Sequence, residues 1–236
     1  MVIPDHAAVL TPARVLGVDA YRKGWVALSS DLRGYVAATI AEVVAAAERD
    51  GPVAVVAIDI PIGLPTGGPR EADRLARRLV GRRASSVFST PVRAAVEAAT
   101  HAEATAIAVA ATGKGISQQA YALSGKILDV DQWVRTVPIP VLEVHPEVSF
   151  ATAAGAPLTH PKSTWAGIEE RRAILASLGI VVPSDLGPAG AAGVDDVLDA
   201  AIASWTAHRY LTGDAVSYPA VPEDYGDGGP HAAIWA

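Results

Sequence analysis

Apolar positions in the first third of the chain come in short blocks separated by polar turns. Val15–Val18 is a run closed by Asp19, Arg22–Gly24 turns, "WVALSS" alternates, "DLRG" turns again and "YVAATI" follows. This pattern predicts a three-strand meander. "AEVVAAAERD" then switches to helical spacing and stops before Gly51-Pro52. "VAVVAIDIPIGLP" is the most apolar stretch of all. Its β-branched content and bounding prolines predict a buried central strand, with Asp59 near the carboxyl end.

Helical spacing dominates the middle of the chain. "PREADRLARRLVG" places Pro69 in a first turn, Leu75 and Leu79 on one face and Gly81 at the exit. A long alanine-rich helix is expected from about Pro91 to Ala111, capped by Thr90. "TGKGISQQ" reads as a loop, a further helix runs to about Trp133, and "PVLEVHP" is the next strand. "STWAGIEERRAILASLG" and "DDVLDAAIASWTAHRYLTG" read as helices on either side of the loop "PSDLGPAGAAG". The tail from Tyr218 is rich in turn residues and contributes no expected element. The order β-β-β-α-β, helical insertion, β, helices implies an α/β fold: a mixed sheet with helices on both faces. One domain over 14–236 is expected after a flexible leader, 1–13.

Half of the 236 residues are hydrophobic, enough for a sizeable core and against extensive disorder. The absence of cysteine excludes thiolate metal sites and cysteine nucleophiles. The amino terminus lacks the basic start and apolar run of a signal peptide, and nothing approaches the roughly 20 unbroken apolar residues of a membrane span. A cytoplasmic protein without membrane attachment is expected. The net charge of −6 argues against a generally basic nucleic-acid coat, yet it is uneven. Between Arg70 and Arg93, seven arginines stand against Glu71 and Asp73. Arg70, Arg74 and Arg77 are expected along one solvated helical stripe, with Asp73–Arg77 as an i,i+4 pair.

The acids carry the chemistry. Asp19, Asp59 and Glu143 each lie at or near the end of an expected strand, where sites in open α/β sheets gather. Buried carboxylates that converge repel one another, and a divalent cation relieves them. Oxygen-only ligation points to Mg²⁺ or Mn²⁺. Read singly, each aspartate is as well explained as a turn former. In "VDDVLDA", Asp195 or Asp196 would cap the helix, and Asp196 and Asp199 share a face one turn apart. Ala200 and Ala203 would let that helix approach the sheet closely. In "VLEVHPE", alternation turns Val141, Glu143 and His145 to one side and Leu142 and Val144 to the other. Glu147, beyond Pro146, reads as a surface acid. His145 is open to three readings: ligand, proton shuttle or backbone-bonded histidine.

"GVDAYRKGWVAL", "AIDIPIGLP", "RRASSVF", "GKGISQQ", "KILDVD", "LEVHPEVSF" and "DDVLDA" come in one order that resembles the predicted ribonuclease-H-like nucleases, domain of unknown function 429. The resemblance runs from about Val15 to Ala236. It implies a ribonuclease-H-like five-stranded mixed sheet in which strand two alone is antiparallel. "DVLDA" is also similar to the last helix of Holliday-junction resolvases, where two aspartates three apart complete a metal site. On that analogy Asp19, Asp59, Asp196 and Asp199 are catalytic metal ligands, and Glu143 is an extra or substitute acid.

Three function classes follow. The leading expectation is a metal-dependent nuclease, with two ions about 3.5–4 Å apart on a nucleic-acid or nucleotide substrate. Arg82, Arg83, Ser85, Ser86 and Lys114 would hold phosphate, and Arg82 with Arg83 would set the salt dependence of binding. A non-catalytic nucleotide- or nucleic-acid-binding protein of the same fold is the second. ATP-dependent phosphotransfer is the third, and it is disfavoured because "TGKGIS" is no P-loop: Ala108 stands where its first glycine belongs. Oligomeric state is not encoded in any of these features.

Overall fold

The computed structural model describes residues 13–236, so the expected leader lies outside it apart from its last residue. The meander is present as β1 (Arg14–Tyr21), β2 (Gly24–Ser29) and β3 (Gly34–Ala37). Helix α1 (Ile40–Glu48) follows, opened by a capping box between Thr39 and Glu42. The central strand is β4 (Val53–Ile58). Helices α2 (Glu71–Val80), α3 (Arg93–Val96), α4 (His101–Thr112), α5 (Gln118–Ala122) and α6 (Ser124–Val134) form the insertion. Then come β5 (Val141–Val144), α7 (Pro146–Ala154), α8 (Trp165–Ser177), α9 (Val194–Thr212), β6 (Ser217–Glu223) and β7 (Ala232–Trp235).

The sheet has seven strands in the order β3-β2-β1-β4-β5-β7-β6, not five. Strand β2 is antiparallel to β1 and β3, β6 is antiparallel to β7, and the remaining neighbours pair in parallel. The two additional strands come from the tail, where turn residues concealed them. Pro219 and Pro222 fall in β6, an edge strand, where a missing N–H costs no ladder bond on the open side. Only "AAIW" is needed to make β7. The alanine-rich segment is also not one helix. It breaks after Val96, and Thr100 caps α4 by accepting from the Glu103 N–H. Among the described residues no helix is long and apolar enough to cross a membrane.

Alternation along the strands sorts two cores. Leu16, Val18, Trp25, Ala27, Val56 and Ile58 pack beneath α1 and α6 with Ile40, Val43, Ile127 and Val130. Val15, Val55, Ala57, Leu142 and Val144 pack on the other face against Ala203 and Ala207 of α9. Gly17 shares that second face. A methyl group there would lie 2.1 Å from the Ala200 carbonyl oxygen and 2.1 Å from the Ser204 backbone nitrogen. Helix α9 therefore rests backbone against backbone on β1. Ala200 and Ala203 allow it, as their size suggests, but Gly17 is what makes it fit.

Gly17→Ala should consequently destabilise the protein by about 3 kcal/mol or more, at the upper end of overpacking costs. Urea unfolding measures this, and a change below about 0.5 kcal/mol would show that α9 can shift away freely.

Candidate metal centre

Close seating of α9 decides which acids meet. Val15, Gly17 and Asp19 share the α9 face of β1, and Val55, Ala57 and Asp59 share the same face at β4. The Asp59 N–H donates to the Val18 carbonyl at 3.0 Å, extending the parallel pairing past the end of β4. Asp199 is buried on the sheet-facing side of α9. One carboxylate oxygen each from Asp19, Asp59 and Asp199 lies within 4.8 Å of the other two. Asp196 is not in this group. Its Oδ2 accepts from the Gly193 N–H at 3.2 Å, closing the first turn of α9, although it still lines the surrounding cleft.

Glu143 is in another place entirely. Leu142 and Val144 face α9, so Glu143 points to the opposite side of the sheet from Asp19 and Asp59. There it accepts from Arg70, with Nη1 to Oε2 at 2.9 Å and Nη2 to Oε1, and from the Ile62 N–H at 2.6 Å. Arg70 is fully buried. It also donates to Asp73 Oδ1 at 2.9 Å and to the Ile62 and Gly63 carbonyls. Asp73 in turn accepts from the Thr90 N–H at 2.7 Å. Arg70 and Asp73 are thus no part of a solvated stripe, and Thr90 caps no helix. The network fixes the loop after Asp59 to β5 and α2.

The cleft over the triad has a volume of about 370 Å³ and is bordered by Arg83, Ser85, Ser86, His145, Glu147 and Lys162. Arg82 is exposed and does not line it. Lys114 lines an adjoining cavity with Arg77, separated from the cleft by Phe88, Ser117 and Ala120, which border both. Residues Gly81–Ser86 form a short 3-10 turn rather than a loop, and the Ser86 hydroxyl donates to the Arg83 carbonyl at 2.8 Å.

Two cleft residues had weak sequence signals. Glu147 is buried, not a surface acid. Pro146 occupies the first turn of α7 and swings Glu147 inward, where Oε1 accepts from Arg171 Nη2 at 2.5 Å and lies 3.5 Å from Arg83 Nη2. Lys162 belongs to the connection between α7 and α8, where no periodicity flags it. Its Nζ donates to Asp199 Oδ2 at 2.7 Å and lies 3.6 Å from Asp195 Oδ2.

Burial raises all three triad acids. Asp19 is held well above the ordinary carboxylate range by desolvation, then by the charges of Asp59 and Asp199. Burial pushes Asp59 to about 6 against the pull of Lys162, with Glu147 adding to the rise. Burial likewise pushes Asp199 to about 6 against Lys162, with Asp59 adding to the rise. Burial lowers His145, which favours the neutral ring. Its Nε2 lies 3.4 Å from the Ser86 carbonyl, so Nε2 carries the proton and the partnerless Nδ1 keeps its lone pair.

The residues present fit a hard divalent cation. Ligand oxygens on one octahedral Mg²⁺ sit about 3–4.2 Å apart, so the triad needs adjustments on the order of an ångström. All donors are oxygens. Asp199 Oδ1 is buried without a hydrogen-bond partner, a cost that a cation would remove.

Two outcomes are expected. Glu143→Gln should lower stability by about 1–3 kcal/mol, because buried Arg70 loses one of its two carboxylate partners and keeps Asp73. Mn²⁺ affinity should stay unchanged; a large loss of affinity would put Glu143 back in the centre. The pH dependence has a definite sign. Acids raised to about 6 bind more protons in the folded than in the unfolded chain, so the triad lowers stability as pH rises from about 4 through 6. In chelator, melting should therefore fall between pH 5 and 7.5, and Mg²⁺ should raise it more at pH 7.5 than at pH 5. Equal Mg²⁺ effects at both values would mean that these acids do not bind it.

No curated protein and no solved structure matches this chain. The family model described as "Protein of unknown function (DUF429)" matches residues 17–224, a span that holds the whole triad and Lys162, and the chain belongs to that family.

Proposed function

We propose that the chain is a divalent-metal-dependent phosphodiesterase acting on nucleic acid or a nucleotide, with Asp19, Asp59 and Asp199 as ligands of Mg²⁺ or Mn²⁺. The observation that carries this is the convergence of three carboxylates, two buried and Asp59 half-buried, within 4.8 Å beneath a cleft edged by cations. The arrangement β3-β2-β1-β4-β5, with β2 alone reversed, supports the ribonuclease-H-like reading; β7 and β6 extend it at one edge.

A bound divalent ion would supply Lewis-acid polarisation of the phosphoryl group and a more acidic water. The chain's own groups have separate tasks. Arg83 is forked, stands beside Glu147 and lines the cleft, where its guanidinium would meet a phosphate group. The Ser85 hydroxyl borders the same cleft. The neutral His145 ring borders the cleft, with Nδ1 buried behind its surface. In hydrolysis the water oxygen bonds to phosphorus as the bond from phosphorus to the leaving oxygen breaks, the water's proton passes to solvent, and the leaving alkoxide takes a proton from solvent.

A panel of labelled single-stranded, duplex, hybrid and branched nucleic acids with Mg²⁺ or Mn²⁺ tests this, beside Asp19→Asn. Cleavage by the parent should fall at least about a hundredfold in Asp19→Asn, as expected for loss of an electrostatic centre. The variant should melt no lower in chelator, since one repelling charge is gone. A parent that binds these substrates but never cleaves them would support the non-catalytic binding reading instead.

A further inference from the structure

We infer that Lys162 permanently occupies the position of a second cation, so that the triad takes one divalent ion rather than two. This rests on the metal-binding part of the proposed function and departs from the paired-ion centre that the family resemblance implies.

Charge is the first reason. Asp19, Asp59 and Asp199 carry three negative charges when ionised, and Lys162 returns one. A single divalent ion then neutralises these four groups, whereas two would leave them with a surplus of positive charge for Asp195, Asp196 and the substrate to offset. The distribution of lone pairs is the second. Asp199 divides its carboxylate: Oδ2 accepts from the Lys162 ammonium at 2.7 Å, and Oδ1 is buried with no partner. One oxygen is engaged by a cation already present, and one is left for an ion shared with Asp19 and Asp59.

Each of the remaining acids is already engaged through one oxygen, and Glu147 Oε2 is the one further carboxylate oxygen of the cleft, among the described residues, that is buried without a partner. Asp196 Oδ2 is engaged by the Gly193 N–H. Asp195 lies 3.6 Å from the same ammonium. Glu147 has Arg171 and Arg83 against it. A second ion would have to displace Lys162 from Asp199. That contact is a 2.7 Å charge-assisted hydrogen bond to a buried carboxylate. Lys162 also lines the cleft, with 39% of its side chain exposed, on the side from which an anionic substrate would arrive.

The test is an ion count with Mn²⁺ as the probe, by equilibrium dialysis and electron paramagnetic resonance on the full chain. The parent should bind one Mn²⁺ with an uncoupled six-line spectrum. Lys162→Met should bind two with the spin-coupled spectrum of neighbouring ions, and Lys162→Arg, which keeps the charge, should bind one. Two coupled ions in the parent, or a single ion in Lys162→Met, would overturn the inference while leaving metal-dependent hydrolysis standing. No ion in the parent would overturn the metal reading itself. If Lys162→Met does not fold, the parent and Lys162→Arg decide: two ions in either rejects the inference.

Discussion

The seating of α9 directly on β1 is the contact on which the rest of the site depends. Gly17 has no side chain where the Ala200 carbonyl and the Ser204 nitrogen pass, and Ala203 and Ala207 keep the interface thin toward β4. A helix one methyl group farther out would leave Asp199 short of Asp19 and Asp59. Interiors are packed too tightly for such an offset to be absorbed locally. The same proximity that assembles the carboxylates also desolvates them, which is why all three are harder to ionise than free aspartate.

The sheet separates two ionic systems with different tasks. On the α9 face, acids are gathered with too few cations, and the deficit suits a divalent ion. On the opposite face, Arg70 is matched by Glu143 and Asp73 with nearly every polar atom engaged. The first system is polarised and unfinished. The second is closed, and it holds the segment that follows Asp59. Arg171 with Glu147 does similar work for the start of α7. A buried pair of this kind contributes little net stability, but losing one member is costly, so it fixes geometry more than it adds energy.

Asp19, Asp59 and Asp199 were legible in the sequence because each interrupts a strongly patterned apolar element. Glu143 looked equivalent by that criterion. Its alternation with Leu142 and Val144 was legible too, but which face of β5 meets α9 depends on pairing with β4, a register that local pattern does not hold. Glu147 and Lys162 depend on the turn at Pro146 and on a helix connection, neither of which has periodicity. The β6–β7 hairpin was hidden by prolines tolerated only because β6 is an edge. Sequence periodicity reports which residues share an element. The assignment of faces between elements is a tertiary property.

The Gly17 contact also orders events in time. The triad's members lie at positions 19, 59 and 199, and the last is delivered only when α9 docks on strands formed some 140–180 residues earlier. Contacts of such sequence separation are slow to close. Until then, Asp19 and Asp59 can stay hydrated at the exposed ends of their strands. The mutual repulsion of all three acids therefore arises only once α9 is docked. A divalent ion of the kind proposed would then act on more than chemistry, since binding only the docked form would hold α9 in place.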